Sequence, residues 1–286
     1  MRRILVALAA ASALSVPIAM PSQAITGGQD DGEGHPSVGM LVFYAKDGAT
    51  NSRFRCSGTL VTPTVVLTAA HCTDGTKGKT IVTFNTAPDV PLPRAADDMQ
   101  TSTSATGYTS TPEGYYSGTA YTHPGYSDFT DTRNWNDVGV IKLDQDVTGI
   151  TPSTIAPVNF LNKYAPPVLS KTNFTLVGYG TEVRKPLSGP QKPTPMGDPL
   201  VRRVTTSNGQ KLTDQLVQMN GNPANVLAGG GTCFGDSGGP SFIGDKLTTV
   251  TSYGYTSNCR YIGGYQRVDI KVVQDWLLTF GVSPQN

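Results

Sequence analysis

The hexapeptide GDSGGP at residues 235–240 is the most informative stretch of this 286-residue chain, and the pentapeptide TAAHC at residues 68–72 is its upstream counterpart. A serine hydroxyl becomes a nucleophile only when a base lies within hydrogen-bonding reach and a third group orients that base. Histidine suits the role of base because its imidazole titrates near neutral pH. A third string, NDV at residues 136–138, supplies a carboxylate between the other two. Together they predict a nucleophile, a base and an orienting acid.

The order histidine, aspartate, serine and the sequence around each of them resemble the chymotrypsin/trypsin family of serine endopeptidases. The resemblance covers nearly all of residues 25–280. It implies an all-β, chymotrypsin-like fold of two antiparallel six-stranded β-barrels. It also implies that His71 is the general base, Asp137 its orienting partner and Ser237 the nucleophile. The serine motif also fits α/β-hydrolases, but their triad order differs and the alternation of strands and helices is missing here.

The same resemblance assigns roles to the neighbours of the nucleophile. The backbone N–H groups of Gly235 and Ser237 would form an oxyanion hole, in which fixed donors stabilise the developing negative charge. Asp236 would pair with the α-ammonium of a mature N-terminus at Ile25, the first residue of the string ITGG. Because a predicted secretion signal ends directly before Ile25, we expect its removal to produce the active N-terminus without a separate activation peptide.

Residues 1–24 have the composition of a secretion signal. Arg2 and Arg3 precede an apolar run at residues 4–14, and the small residues of the string SQA at 22–24 suit a cleavage site. The apolar run is short for a bilayer span, which takes ~20 residues. We therefore expect a secreted, extracellular protein with no membrane attachment after the signal is removed.

The mature chain, residues 25–286, has a composition typical of a turn-rich β protein. In the full 286-residue chain, glycine and proline number 32 and 21, and charged residues make up 15%. Losing two of the 22 basic residues with the signal leaves 20 against 21 acidic residues. This balance argues against nucleic-acid binding through a basic surface. The expected partners are a protein or peptide substrate and a protein inhibitor, with no cofactor and a monomeric state.

All four cysteines lie in the mature chain, at Cys56, Cys72, Cys233 and Cys259. Four cysteines allow three pairings, and the sequence alone does not choose among them. Export favours disulfides, and the spacings lack the short paired motifs of zinc ligands. The family resemblance implies the pairs Cys56–Cys72 and Cys233–Cys259.

Short β-type runs between turn signals predict a sandwich or barrels. These runs are 38–44, 56–62, 65–70, 138–143, 173–177, 200–206, 216–219, 247–253 and 261–268. One helix is predicted at about 269–280, capped by Asp269 and ended by Gly281. The first barrel is expected at about 25–150 and the second at about 151–268.

Two stretches, 86–118 and 182–199, are rich in proline or small polar residues and are predicted to be long surface loops. They are candidates to frame the substrate groove. Asp89, Asp97 and Asp98 lie in the first stretch, but their spacing matches no ion-binding motif. We therefore expect a solvated surface there and no metal site.

The resemblance places the primary specificity pocket between the residues just before Ser237 and the strand segment at 252–254. Gly231 would lie at its base, where trypsin-like members have an aspartate, and Gly254 and Gly263 would form its walls. The other residues assigned to the pocket are Thr232, Phe234, Ser252 and Tyr253. An uncharged, open pocket disfavours Lys and Arg and predicts cleavage after large apolar residues. A small-residue, elastase-like preference is the alternative, because Thr232 or Phe234 would narrow the space.

A non-catalytic binding protein on the same fold is the second alternative, since fold does not fix function. Such relatives usually lose a triad residue or an oxyanion glycine. This chain keeps His71, Asp137, Ser237 and Gly235, and it keeps Ile25 at the expected terminus. The sequence therefore favours an active serine endopeptidase that works through an acyl-enzyme.

Overall fold

The computed structural model describes residues 25–44, 53–88, 111–184, 192–197, 200–225, 227 and 229–283. The strands in these ranges form two closed six-stranded antiparallel barrels, followed by a C-terminal helix. The predicted secretion signal lies outside the described residues, as do Asp89, Asp97 and Asp98. None of the helices in the described ranges combines the length and apolar character needed to cross a bilayer.

The first seven strands are one short strand, β1 (Gln29–Asp30), and the six strands of the first barrel. These six are β2 (Val38–Tyr44), β3 (Arg53–Thr62), β4 (Val65–Thr68), β5 (Thr80–Thr83), β6 (Tyr116–Thr122) and β7 (Gly139–Leu143). The barrel runs in the order β2-β3-β4-β7-β6-β5 and closes because β2 pairs with both β3 and β5. Both faces of β2 are buried, which explains its continuous apolar sequence. A one-turn helix, α1 (Ala70–Thr73), follows β4.

The second barrel is built from six of the remaining strands. In chain order the nine remaining strands are β8 (Thr154–Ile155), β9 (Asn173–Gly178), β10 (Glu182–Arg184), β11 (Thr194–Met196), β12 (Arg203–Leu212), β13 (Leu216–Asn220), β14 (Pro240–Ile243), β15 (Lys246–Gly254) and β16 (Ile262–Arg267). The barrel order is β9-β12-β13-β16-β15-β14, closed by the pairing of β14 with β9. Single turns of 3-10 helix lie at Phe160–Tyr164 and Leu169–Lys171.

Four strands lie outside the barrel rings: β1, β8, β10 and β11. β8 pairs in parallel with β15. β1 pairs with β12, so the residues before the first barrel attach to the second barrel. β10 and β11 form a separate hairpin inside the stretch 182–199 that was predicted to be a loop. β6 likewise begins inside the predicted loop 86–118. Each predicted loop therefore contains strand residues, which the composition alone did not indicate.

The C-terminal helix α2 (Lys271–Leu278) is shorter than predicted, and its predicted cap is wrong. Ile270 occupies the cap position and makes no side-chain hydrogen bond there. The carboxylate of Asp269 instead accepts hydrogen bonds from Arg267 and from the N–H of Leu161. An aspartate that pairs with a buried arginine is not available to cap the helix.

Apolar side chains from both barrels and from α2 form one shared cluster between them. Met40 and Val42 of the first barrel, Val177 of the second, and Val273 and Leu277 of α2 all belong to it. Each barrel also has an apolar cluster of its own. The shared cluster buries the surfaces on which the two barrels meet, so it fixes the relative position of residues that the barrels contribute to a common site.

Candidate active site

His71 lies in α1, directly after β4, and Asp137 lies two residues before β7. These two strands are neighbours in the first barrel, with Thr68 opposite Gly139. Nδ1 of His71 is 2.8 Å from Oδ2 of Asp137, and the backbone N–H of His71 donates to Oδ1 at 2.9 Å. The Asp137 side chain is fully buried, whereas 22% of the His71 side chain is exposed. The carboxylate fixes the ring and leaves Nε2 on its opposite side.

The second barrel also holds the Asp137 carboxylate. Ser252 of β15 donates from Oγ to Oδ2 at 2.6 Å, and it accepts a hydrogen bond from Nε1 of Trp135 at 2.9 Å. The side chain of Gln266 in β16 accepts from the backbone N–H of Asp137 at 3.0 Å. A buried carboxylate needs donors such as the Ser252 hydroxyl to offset its lost hydration. Residues from the two barrels therefore set the position of the acid together.

Ser237 lies in the turn that leads into β14, and contacts from β3 hold this turn. The carbonyl of Ser237 accepts a hydrogen bond from the N–H of Ser57 at 2.8 Å. Cys56, the neighbour of Ser57, forms a disulfide with Cys72, the neighbour of His71. The nucleophile turn and the helix that carries the base are thus attached to the same two residues of β3.

The turn around Ser237 needs glycine at two positions. Gly235 and Gly238 have φ values of +97° and +74°, a region that other residues rarely adopt. A Cβ on Gly238 would collide with Oγ1 of Thr68 and lie 2.6 Å from the backbone nitrogen of Ala69. The absence of a side chain lets the turn pack directly against the segment that precedes His71.

The backbone donors of this turn are used unequally. Three N–H groups donate to backbone carbonyls at 2.8–3.0 Å, those of Asp236, Gly238 and Gly239. Among the described residues, none accepts a hydrogen bond from the N–H of Gly235 or of Ser237. Two unpaired donors beside a serine hydroxyl are what an oxyanion hole requires.

Asp236 is fully buried directly beside the nucleophile. Its two carboxylate oxygens accept hydrogen bonds from the N–H groups of Gly180 and Cys233, each at 2.8 Å. Burial raises the pKa of Asp236 to about 6, although these two bonds and the positive charges of Arg55 and Arg203 act to lower it. A buried carboxyl group with this environment gains from a further cation, because a nearby positive charge favours its ionised form.

Ile25 is fully buried in the chain described, where 24 residues precede it. The next residue, Thr26, forms an isolated antiparallel bridge with Gly231. Its carbonyl accepts from the N–H of Gly231 at 3.0 Å, and its hydroxyl donates to the carbonyl of Cys259 at 2.8 Å. The start of the expected mature chain is thus anchored on the second barrel through Gly231 and Cys259.

A cavity of about 380 Å³ opens beside Ser237. Six of the seven residues assigned to the specificity pocket line it, namely Thr232, Phe234, Ser252, Tyr253, Gly254 and Gly263. Its described lining contains no carboxylate and no basic side chain. Tyr265 also lines it, with its hydroxyl 3.1 Å from Oγ1 of Thr232, and burial raises the pKa of Tyr265 to about 12. The cavity is therefore uncharged at neutral pH.

Gly231, which was expected at the base of the pocket, is not among the lining residues. Its N–H is bonded to Thr26, and a Cβ added to it would lie 2.5 Å from Cα of Gly221. The residue therefore lies behind the wall formed by its neighbours. A carboxylate at this position would not reach the cavity without moving Gly221.

Several residues near the site were not identified from the sequence. A series of ring contacts extends from His71 to Phe129, then to Trp135 and then to Tyr253, with centroid distances of 5.6, 5.3 and 5.4 Å. Ser57 and the contacts of Ser252 were also missed. No sequence motif marks these residues, because each acts through a partner that is distant along the chain.

The structure has the two disulfides that the resemblance implies, Cys56–Cys72 and Cys233–Cys259. In the described ranges, one group of metal-ligating side chains lies close together, and it consists of Cys56, His71 and Cys72. Because both of its sulfurs are in a disulfide, this group is not a metal site.

Comparisons with known proteins show the family and the fold of the chain. The family model described as Trypsin matches residues 29–277. The chain is 30% identical to Trypsin of Saccharopolyspora erythraea, over 80% of this chain and 86% of that protein. It is 29% identical to Brachyurin of Leptuca pugilator, over 80% and 89%. It is 28% identical to CLIP domain-containing serine protease B10 of Anopheles gambiae over 73% of its own length, but it spans 55% of that relative.

Solved structures show the same fold. The HL collagenase structure aligns with a TM-score of 0.60 at 20% identity, covering 91% of this chain and 97% of that one. Human heparin binding protein aligns with a TM-score of 0.56 at 17% identity, covering 92% and 100%. The two-barrel fold and the matching relatives define the class of trypsin-like serine proteases. Since the family model covers most of its length, the chain belongs to the trypsin family.

Proposed function

We propose that the mature protein is a secreted serine endopeptidase that hydrolyses peptide bonds of protein or peptide substrates through His71, Asp137 and Ser237. One observation carries the proposal: a buried carboxylate lies 2.8 Å from Nδ1 of a partly exposed histidine. The turn that carries Ser237 packs against the segment preceding that histidine, and Ser237 borders an uncharged cavity. The family's mechanism then assigns a role to each group.

In the acylation step, Oγ of Ser237 attacks the carbonyl carbon of the scissile bond, and Nε2 of His71 takes the hydroxyl proton. Asp137 stabilises the imidazolium that forms. The negative charge on the carbonyl oxygen is met by the N–H groups of Gly235 and Ser237, each worth roughly 3 kcal/mol in related sites. His71 then gives its proton to the leaving amine, and the C–N bond breaks to leave an acyl-enzyme.

In the deacylation step, a water molecule takes the place of the amine. His71 accepts a proton from the water as its oxygen attacks the ester carbon, and the same N–H groups stabilise the second tetrahedral intermediate. The ester bond to Oγ of Ser237 then breaks, and His71 returns the proton to that oxygen. The products are a carboxylic acid and the free enzyme.

We propose a preference for large apolar residues before the scissile bond, with a small-residue preference as the alternative. The uncharged cavity of about 380 Å³ supports the first. Gly254 keeps the wall open, since a Cβ built on it would contact nothing within 4 Å. Phe234 is 57% exposed at the cavity and offers a large apolar surface to the substrate.

We further propose that the α-ammonium of Ile25 pairs with Asp236 in the mature chain. The burial of both residues and the two N–H groups that already hold the Asp236 carboxylate support this pairing. Because an ion pair raises the pKa of an amine above its ordinary value near ~8, activity should fall at high pH as the ammonium is lost. An added residue before Ile25 should remove activity without unfolding the protein.

The proposed function is tested with a series of peptides that differ only at the residue before the scissile bond, chosen from Phe, Leu, Ala, Val, Arg and Lys. We expect the highest kcat/KM after Phe or Leu. A Ser237→Ala control should lose on the order of a millionfold in kcat, as in other serine proteases.

Other outcomes of this test would contradict specific parts of the proposal. Cleavage after Ala or Val in preference to Phe would support the small-residue alternative. Cleavage after Arg or Lys would mean that a carboxylate reaches the cavity from elsewhere. No hydrolysis by protein with a verified N-terminus at Ile25 would overturn the endopeptidase and favour a binding protein on the same fold.

A further inference from the structure

Two consecutive acidic residues of the N-terminal segment meet two consecutive arginines of the second barrel. Oδ2 of Asp31 accepts a hydrogen bond from Nε of Arg202 at 2.8 Å, and Oδ1 of Asp30 lies 3.2 Å from Nε of Arg203. The backbones pair as well, since Asp30 is opposite Arg203 in the β1–β12 ladder and the N–H of Asp31 donates to the carbonyl of Arg202 at 3.0 Å. We call these four residues the Asp–Arg clamp.

The inner pair of the clamp is buried and fully hydrogen-bonded. The Arg202 and Asp31 side chains are 0% and 1% exposed. The guanidinium also donates to the carbonyls of Gly32, Val38 and Phe84 at 2.7–3.2 Å. A buried ion pair keeps its geometry when its remaining donors find partners in this way. The pair therefore holds the N-terminal segment against both barrels.

The clamp lies a short distance along the chain from Ile25. Four residues lie between Ile25 and Asp30, and they include Gly27, with φ +77°, and Gly28. Because an extended chain advances at most ~3.6 Å per residue, the closed clamp keeps Ile25 within roughly 18 Å of Asp30. A short flexible tether gives its end an effective concentration in the millimolar range at a nearby site. Without the clamp, the N-terminal segment would lose this restraint.

Arg203 of the clamp lies near Asp236, the residue that Ile25 is proposed to bind. Arg203 is opposite Gly178 in the β12–β9 ladder, and a Cβ on Gly178 would collide with Oδ1 of Asp236. The positive charge of Arg203 accordingly acts to lower the pKa of Asp236. One strand, β12, thus contacts the N-terminal segment and lies beside the buried carboxylate.

We propose that the Asp–Arg clamp is a positioning device for activation, which keeps the N-terminus of the mature chain at Asp236 and so maintains the oxyanion hole. This inference rests on the proposed pairing of Ile25 with Asp236. Asp31 and Arg202 touch no substrate and act through Ile25. Loss of the clamp lowers the fraction of molecules whose N-terminus is docked, and therefore the fraction that is catalytically competent.

The test compares Asp31→Asn with the parent protein, both with Ile25 as the verified N-terminus. The measured quantity is the fraction of active sites, from the burst of an acylating ester, together with kcat and KM. We expect the active fraction of Asp31→Asn to fall about tenfold or more, with KM of the remaining active molecules unchanged. The dipeptide Ile-Thr, added at about 10 mM, should restore most of the lost fraction because it exceeds the effective concentration of the undocked terminus.

The matched control is Asp269→Asn. Asp269 also forms a buried ion pair, with Arg267 at 2.9 Å, but it contacts the segment at Leu161 rather than the N-terminus. Asp269→Asn should lower thermal stability. Adding the dipeptide Ile-Thr to this variant should not raise its fraction of active sites. If Asp31→Asn does not fold, Asp30→Asn serves instead, because the Asp30 side chain is 65% exposed and its loss leaves the buried pair intact. We expect a two- to threefold fall for Asp30→Asn, again reversed by the dipeptide.

An unchanged active fraction, or a loss that the dipeptide does not reverse, would overturn the clamp. Asp236→Asn separates this failure from failure of the proposed activation. Full activity of Asp236→Asn would mean that the Ile25–Asp236 pairing itself is wrong. An inactive Asp236→Asn beside an unaffected Asp31→Asn and Asp30→Asn would mean that the pairing stands and that the clamp does not serve it.

Discussion

Ser252 donates a 2.6 Å hydrogen bond from its hydroxyl to Oδ2 of Asp137, the oxygen that also holds Nδ1 of His71. Ser252 belongs to the second barrel and Asp137 to the first, so the bond connects the two barrels at the centre of the site. It makes the orientation of the proposed base depend on the packing between the barrels. A change that moves one barrel against the other should therefore reach the chemistry through this carboxylate.

Replacing Ser252 with alanine should lower kcat by about ten- to a hundredfold with KM little changed, because a hydrogen bond to a charged group is worth about 1.5–3 kcal/mol. Steady-state kinetics with the best apolar peptide measures this. Ser241→Ala is the control, since Ser241 is equally buried and its hydroxyl has no partner among the described residues. Equal effects of the two substitutions would argue against the role of Ser252.

Gly254→Val should narrow the specificity cavity and change the size preference. A Cβ at this wall position meets nothing within 4 Å, so the valine fits without disturbing the fold and occupies space meant for substrate. We expect kcat/KM for a Phe peptide to fall at least about tenfold while that for an Ala peptide changes little. Gly197→Val, at another open position away from the cavity, should leave both values unchanged. A parallel loss for both peptides would contradict the assignment of Gly254.

Gly238→Ala should be far more costly than Gly244→Ala, although both glycines have positive φ values of +74° and +61°. The added methyl group at 238 collides with Thr68, whereas nothing lies within 4 Å at 244. We expect losses in unfolding free energy of at least about 3 kcal/mol and about 1–2 kcal/mol respectively. Urea unfolding in a Ser237→Ala background, which prevents autolysis, measures both. Similar losses for the two variants would show that backbone strain alone, and not the collision with Thr68, determines the loss in unfolding free energy.

A chain that keeps residues before Ile25 should lose stability as the pH rises through about 6. Burial raises the pKa of Asp236 to about 6, so the folded state favours the protonated form. The stability that this adds is complete below the unfolded pKa of ~3.9 and is lost as the pH rises through the folded value. The expected change between pH 4 and pH 8 is on the order of 3 kcal/mol.

Urea unfolding of the extended Ser237→Ala protein, with and without Asp236→Asn, isolates this contribution. Only the extended protein that retains Asp236 should lose unfolding free energy as the pH rises. In the mature chain the proposed ammonium of Ile25 favours the carboxylate, so the same dependence should be absent there. Its persistence in the mature chain would contradict the pairing.

The clamp residue Asp31 should stabilise the fold at neutral pH and cease to do so in acid. Burial by itself would raise the pKa of Asp31, but hydrogen bonds and charge from His35 and Arg202 outweigh it, and the pKa is lowered. Its contribution is therefore present above the unfolded pKa and is lost as the pH falls through the folded value. The difference in unfolding free energy between the parent and Asp31→Asn should shrink steadily below about pH 4. A constant difference would show that packing, rather than charge, is responsible.

Most of the correct predictions from the sequence came from short motifs. The residues around His71, Asp137 and Ser237 are local strings, so their family and its two-barrel fold were recognisable without coordinates. Strand β2 was predicted with its observed bounds, because both of its faces are buried and its sequence is continuously apolar. Among the barrel strands, β5, β6 and β14 were missed. β6 is half polar, and β14 begins at the proline that ends the serine motif, so neither has the pattern of an isolated strand.

The sequence by itself determined which groups are available for chemistry: a serine between glycines, a histidine beside a cysteine, and an aspartate before an apolar strand. Tertiary structure alone decided what holds those groups in place. Ser252 meets Asp137 across 115 residues, and Arg202 meets Asp31 across 171. Local patterns reflect the period of a strand or helix, whereas such long-range pairs depend on barrel closure and on the burial of the surface between the barrels. The physical reason is that a side chain's partner is set by the packing of distant elements, which no local sequence pattern encodes.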